Sequence, residues 1–274
     1  MSSILTNNSA MVALQTLKGI NSDLAKTQDM ISTGKEIGKA KDDSAIWAIS
    51  KVMDSDVRGF SAVSDSLALG EATVAVASAG AEQITNLLNE MKEKVVAATG
   101  ENVDHATIAA DVDELKSQIT SIISASQFNG ANLLNTAGGD VTVLSSLDRD
   151  AGGTVTAQNI TVASVDFEAG LDLATVDVSS AAAAEGSLAA METLIQTAVD
   201  GAAALGASAK RISDQSDFVS KVMDAMKSGI GSLVDADMEE ASARLQALQV
   251  QQQLGTQSLS IANQAPQAIL SLFR

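Results

Sequence analysis

The chain of 274 residues has no cysteine, a single histidine and a net charge of −17 at neutral pH. Those counts exclude disulfide frameworks, thiolate chemistry and histidine-pair metal sites, and they argue against nucleic acid or an anionic membrane as partner. Apolar residues make up 46% but aromatics only 2%, so the core must be built from Ala, Leu, Val and Ile, which suit narrow helix seams.

From the N-terminus, no basic leader and no apolar run of signal length is expected in Met1 to Asn8. Leu14, Leu17, Ile20, Leu24 and Ile31 then fall on one helical stripe. Gly34 reads as an end cap, and residues 34–43 hold only Ile37 as a large apolar side chain, which predicts a connector. Asp42, Asp43 and Ser44 offer caps for a second helix. Its stripe includes Ile46, Ile49, Met53, Phe60, Leu67, Val74, Ile84, Leu88, Met91 and Val95, and Gly100 and Asn102 end it. Asp104 caps a third helix through Ile108, Val112, Leu115, Ile119 and Ile122.

Asn129-Gly130 is a turn signal, and after it the period changes from helical to alternating. Val141/Val143, Ile160/Val162, Leu171/Leu173 and Val176/Val178 read as strand pairs, punctuated by Gly138-Gly139 and Gly152-Gly153. A small β element is expected over about 40 residues. The longest stripe follows, with steps of three and four from Leu188 through Met191, Ile195, Ala198, Ala202, Leu205, Ile212, Val219 and Met226 to Leu233. One continuous helix there would run roughly 70 Å. The register shifts near residues 232–237, and a new seam starts at Val234, Met238, Ala241, Leu245 and Leu248. A looser one continues through Leu254, Ile261, Ala265, Ile269 and Leu272. If the ends run side by side, this break faces the connector at 34–43. No apolar run approaches the roughly 20 residues of a bilayer span, so no membrane insertion is expected.

The fold class predicted is mainly α: a long antiparallel helical bundle or coiled coil built from both chain ends, with a small β-rich insertion in the middle. Charge divides the chain in a related way. Residues 1–34 are net zero and residues 241–274 are net +2, so the 206 residues between them carry −19. The ends are free to crowd together while the middle repels its copies. An amphipathic end on its own exposes half of what it needs to bury, so both ends are expected to order only on association.

Catalytic signals are few. His105 sits beside a helix start and reads as a surface side chain. Asp42-Asp43 and Glu239-Glu240 read as cap and break residues, and no Gly-rich phosphate loop occurs. Neither an enzyme nor a cofactor is expected. A self-assembling structural protein fits best, with a signalling coiled coil as the alternative.

Three segments resemble the bacterial flagellin family. They are Ile31-Ser32-Thr33-Gly34-Lys35 with Ala40-Lys41-Asp42-Asp43-Ser44-Ala45, then Ser126-Gln127-Phe128-Asn129-Gly130 with Leu133-Leu134, and finally Ala262-Asn263-Gln264-Ala265-Pro266-Gln267 with Leu270 to Arg274. The resemblance implies a flagellar filament subunit, exported unfolded without a cleaved signal peptide, polymerising with itself outside the cell for motility. The partners implied are the flagellar export apparatus, an export chaperone, and the filament cap and junction proteins. A hook–filament junction protein of the same family is the alternative. The resemblance divides the chain into a terminal coiled-coil polymerisation domain (1–33 and 235–274), a connector (34–43), a helical rod domain (44–138 and 181–234) and a small β-rich outer region (139–180). Self-assembly is assigned to Leu14, Leu17, Ile20, Leu24, Ile31, Leu245, Leu248, Leu254, Ile261, Ile269 and Leu272. Many flagellins present an Arg-rich helix to an animal immune receptor. Here Glu90 and Lys94 stand in that segment in place of an Arg and a Leu, which implies an altered epitope.

Overall fold

With proline only at position 266, few backbone donors are missing and the helices run long. The computed structural model describes residues 7–150 and 152–271, and the side chains among them up to residue 264 and apart from 151. In chain order it holds α1 (Asn8–Thr33), α2 (Ser44–Ala98), α3 (His105–Ala125), β1 (Val141–Arg149), β2 (Val155–Val162), α4 (Phe167–Gly170), a 3₁₀ turn (Leu173–Thr175), α5 (Ala181–Val234) and α6 (Met238–Ser271). The architecture is mainly helical with one antiparallel hairpin, as the periodicity predicts. Two compact units form. One comprises residues up to Ser55 and from Ala225 onward, and the other spans Asp56–Asp224; α2 and α5 contribute to both.

Local chemistry explains the boundaries. Gly34 ends α1 in the left-handed region at φ 68°, and its N–H donates to the Met30 carbonyl. Asp43 Oδ1 accepts from the Ala45 and Ile46 N–H groups at the start of α2. Asp104 caps α3 by accepting from the Ala106 and Thr107 N–H groups. The Thr107 hydroxyl leads the same set of bonds, which together hold the Asp104 carboxyl below its ordinary pKa. Asn129 and Gly130 form a two-residue turn with φ of 51° and 85°, closed by reciprocal bonds between Phe128 and Ala131.

The second unit packs the hairpin and its flanking loop onto small residues of the helices. A Cβ at Gly59 would lie 2.7 Å from Leu147, and one at Gly80 would lie 2.9 Å from Leu134. Gly70 admits Val143 in the same way. In the hairpin, Val141 pairs with Val162 and Arg149 with Val155, with an irregularity at Ser145. The Ser66 hydroxyl accepts from the Leu144 N–H, and Gln215 donates to the Ser145 carbonyl. Arg149 forks onto the Asp56 carboxylate with its Nε 3.1 Å from both oxygens. Residue Leu133 is fully buried, and its carbonyl accepts from the Ser164 hydroxyl and from the Val165 and Asp166 N–H groups.

Two expectations are corrected. The β element is smaller than the alternation suggested, because Leu171/Leu173 and Val176/Val178 do not form strands. Asp166, Asp172 and Asp177 accept hydrogen bonds from nearby backbone N–H groups and fold that stretch into local turns. Leu171, Val176 and Val178 are buried all the same. On α5 the seam matches at Met191, Ala198, Leu205, Ile212 and Val219, but elsewhere it runs through Ser187, Leu194 and Gly201 in place of Leu188, Ile195 and Ala202. Gly201 is in the seam because the Phe167 ring lies over it; a Cβ there would fall 2.6 Å from Phe167 Cε1.

That close approach predicts opposite effects at two glycines of one helix. Gly201→Val should cost about 1–3 kcal/mol by overpacking. Gly206→Ala, where an added Cβ meets nothing within 4 Å, should gain about 0.5–1 kcal/mol by helix propensity. Urea unfolding followed by circular dichroism reads both.

Candidate functional site

The two chain ends together build one surface. Helix α1 runs antiparallel to α6. Asn7 Nδ2 donates to the Ala262 carbonyl at 2.7 Å, Gln252 Nε2 donates to Asn21 Oδ1 at 2.7 Å, and Leu17 and Ile20 lie over Gly255. The α1 side of the seam is Ala10, Ala13, Leu17, Ile20, Leu24, Thr27 and Ile31, in steps of three and four. Thr27 is buried, with its hydroxyl donating to the Asp23 carbonyl. The α6 side is Ala241, Leu245, Leu248, Gln252, Gly255, Leu259 and Ala262, again in steps of four and three.

The pairing is set by the two helix breaks, which bond to each other. The Glu36 N–H donates to the Val234 carbonyl at 2.8 Å, and the Ala236 N–H donates to the Gly34 carbonyl at 3.0 Å. Lys35 and Asp235 lie opposite each other in an isolated bridge. On the far side of the break, Asp237 Oδ1 caps α6 by accepting from the Glu239 and Glu240 N–H groups, and those two acids occupy the first turn of α6. The connector is held locally: Asp42 Oδ2 accepts from the Gly38 and Lys39 N–H groups, and the Lys39 ammonium meets Asp29 at 2.6 Å. The hydrogen bond to Asp29, with that carboxylate's charge, raises the Lys39 pKa. On the alkaline side this ion pair therefore persists until pH climbs through the raised lysine value.

The candidate assembly residues fall into two sets. Leu17, Ile20, Leu24, Ile31 and Leu245 are half-buried in the seam, and Leu248 is buried there. Leu14, Leu254 and Ile261 are not in it; they are 56%, 59% and 68% exposed, alongside Met11, Val12 and Val250. The Ile269 side chain and Leu272 lie outside the described residues. The looser stripe through Leu254 and Ile261 is thus an outward row, while the seam within the chain continues through Gln252, Gly255, Leu259 and Ala262. A polar Gln and a Gly at seam positions hid that continuation, although the three-four step runs unbroken from Ala241. Between the helices an open groove of about 510 Å³ is lined by Val12, Ala13, Thr16, Ile20, Leu254 and Gly255, among others.

Elsewhere, Glu90 is exposed on α2, and Lys94 pairs with Asp111 at 2.6 Å, an ion pair that raises the Lys94 pKa. His105 opens α3 with Nδ1 enclosed and without a hydrogen-bond partner. Among the described residues no group of three His, Cys, Asp or Glu could hold a metal ion, and no helix is long and apolar enough to cross a membrane.

Comparison with known proteins points the same way as the geometry. Residues 4–138 match the model of the bacterial flagellin N-terminal helical region, and residues 188–273 match that of the C-terminal helical region. Over 279 residues the chain is 43% identical to flagellin FljM of Caulobacter vibrioides, covering 100% of this chain and 99% of that protein. Flagellin FljK of the same organism is 42% identical over 278 residues, with the same coverage. A flagellin of Brucella melitensis is 41% identical over 282 residues and is covered along its whole length, as is this chain.

Gly34 is the residue on which the junction can be tested. A β-branched side chain in the left-handed region should cost about 1–2 kcal/mol. Trp47 lies with Ile37, Ile230 and Val234 around the same junction. In the associated protein, where the ends are ordered, its fluorescence should therefore report a lowered unfolding midpoint in Gly34→Val and an unchanged one in Gly34→Asn.

Proposed function

The chain belongs to the bacterial flagellin family, and we propose that it folds its two ends as it adds to a filament of its own copies. It is a structural filament subunit and not an enzyme. On this reading it leaves the cell unfolded through the flagellar export apparatus, accompanied by an export chaperone, and adds at the distal tip beneath the cap protein, with junction proteins at the filament base. Residues 1–33 and 235–274 form the polymerisation domain, 34–43 the connector, 44–138 and 181–234 the helical domain, and 139–180 the part that faces outward.

One observation carries the proposal: after α1 and α6 have paired, a second set of large apolar side chains remains exposed beside the seam. Leu14, Leu254 and Ile261 are each more than half exposed. Exposed apolar rows of this kind on soluble chains mark contact sites. Repetition of the same head-to-tail contact without closure yields a helical polymer. The near-neutral charge of the ends lets copies approach there, while the −19 on the rest keeps other surfaces apart.

Removal of 266–274 should abolish polymerisation and leave most of the helical circular dichroism intact. Leu245→Asp, which places an unpaired charge in the α1–α6 seam, should do the same. Sedimentation after addition of filament seeds reads both, and filaments from either variant would contradict the proposal. The altered epitope is a separate part of it. Glu90 brings the opposite charge, and Lys94 is engaged with Asp111. Receptor reporter cells should therefore respond weakly or not at all, and Glu90→Arg with Lys94→Leu should raise the response.

A further inference from the structure

We propose that Asn129 is a site of spontaneous deamidation and isomerisation, and that the change loosens the anchor of the segment around Leu133. Asn129-Gly130 is the one Asn-Gly pair in the chain. In this reaction the backbone nitrogen of the following residue gives up its proton and attacks the side-chain amide carbon. A new C–N bond closes a five-membered succinimide, the bond to Nδ2 breaks, and ammonia leaves. Water then opens the ring at either carbonyl, giving an ordinary aspartate or an isoaspartate whose main chain passes through the side-chain methylene.

The structure separates this asparagine from the others. Asn129 and Gly130 are both exposed, and neither the Asn129 side chain nor the Gly130 N–H has a hydrogen-bond partner among the described residues. Gly130 has no side chain to crowd its attacking nitrogen, and the space where a Cβ would sit is empty within 4 Å. Competing asparagines lack one or more of these conditions. Those at 8, 21, 86, 89 and 263 lie in helices, whose backbone geometry keeps the nitrogen from the side chain, and Asn159 lies in β2. Asn7, Asn132 and Asn135 have side-chain oxygens already accepting backbone N–H groups. Asn102 is followed by Val103, whose branched side chain crowds the attack.

The consequence follows from the turn. With φ of 51° and 85°, the two residues reverse the chain so that Phe128 and Ala131 exchange hydrogen bonds of 2.9 and 3.0 Å. An isoaspartate adds an atom to that two-residue loop, and the reciprocal pair can no longer close. Three residues after the turn comes the Leu133 carbonyl that gathers Ser164, Val165 and Asp166. Subunits altered in this way keep their helices while the Leu133 segment loosens its hold on residues 164–166.

The test is ageing of the full-length protein in mildly alkaline buffer, with peptide mass mapping and isoaspartate-specific methyl labelling. A one-dalton gain and methyl label confined to the peptide carrying residue 129 are expected, together with one equivalent of ammonia. Asn129→Gln, which can close only a slower six-membered ring, should remove the label. Asn129→Asp supplies the charge without the extra backbone atom and should melt like the unaged protein, whereas the aged protein melts lower. Asn129 remaining an amide while another asparagine converts, or while the urea-unfolded chain converts fully, would overturn the site. An aged chain that melts with Asn129→Asp would overturn the loosening.

Discussion

The pairing of the two chain ends depends on backbone hydrogen bonds between two helix breaks that lie about 200 residues apart in sequence. Every helix C-terminus leaves carbonyls without partners inside the helix. Here the Val234 carbonyl at the end of α5 is satisfied by the Glu36 and Ile37 N–H groups of the connector, and the Gly34 carbonyl beyond α1 by the Ala236 N–H. Each break thus supplies the partners that the other lacks. A break at only one of these places would leave orphaned groups, so the two must occur at matched positions. Their match also sets the register in which Leu17 and Ile20 arrive at Gly255.

Small residues do for this protein what aromatics do in many others. With 2% aromatic content, close contact is reached by bringing backbone near to side chain. Gly59, Gly70 and Gly80 receive Leu147, Val143 and Leu134, and Gly201 receives Val165 and Phe167. These positions are scattered along α2 and α5, so the insertion is held by several shallow seats and by polar ties such as Arg149 to Asp56. The insertion needs little β-structure of its own, because its buried residues are seated by helices.

The same economy of side chains decides what can be read in the sequence. Caps and breaks were legible because their chemistry is local: Gly34, Asp43, Asp104 and Asn129-Gly130 each act on neighbours within a few residues. The α1 stripe through Leu17, Ile20 and Leu24 was legible because large aliphatics mark it. The α5 seam was legible only where it carries large residues or Ala. At Ser187 and Gly201 it drops to residues that pattern reading passes over, and the reason for Gly201 is Phe167, 34 positions away. Gln252 and Gly255 concealed the α6 seam in the same manner. The alternation at 171–178 misled for another reason: Asp172 and Asp177 redirect the backbone into turns, yet alternate apolar residues still point into the core.

The outward row on the end helices takes its meaning from this division of seams. A helix with one apolar stripe can be satisfied by one partner, and α6 has that partner in α1. Val250, Leu254 and Ile261 lie off the inner seam and are exposed by 56%, 59% and 68%. The described residues of the chain leave them uncovered, and α1 already contributes its inner face at Ala10, Ala13 and Leu17. Charge points to a second copy as the cover. From residue 241 to the end there is no acidic side chain, whereas the body of the chain is strongly acidic. Copies that repel elsewhere can therefore meet along residues 241–274 without an acidic side chain of that segment being desolvated. In the proposed filament, the seam within the chain sets the shape of the end, and the outward row, left over from that pairing, provides the contact that repeats.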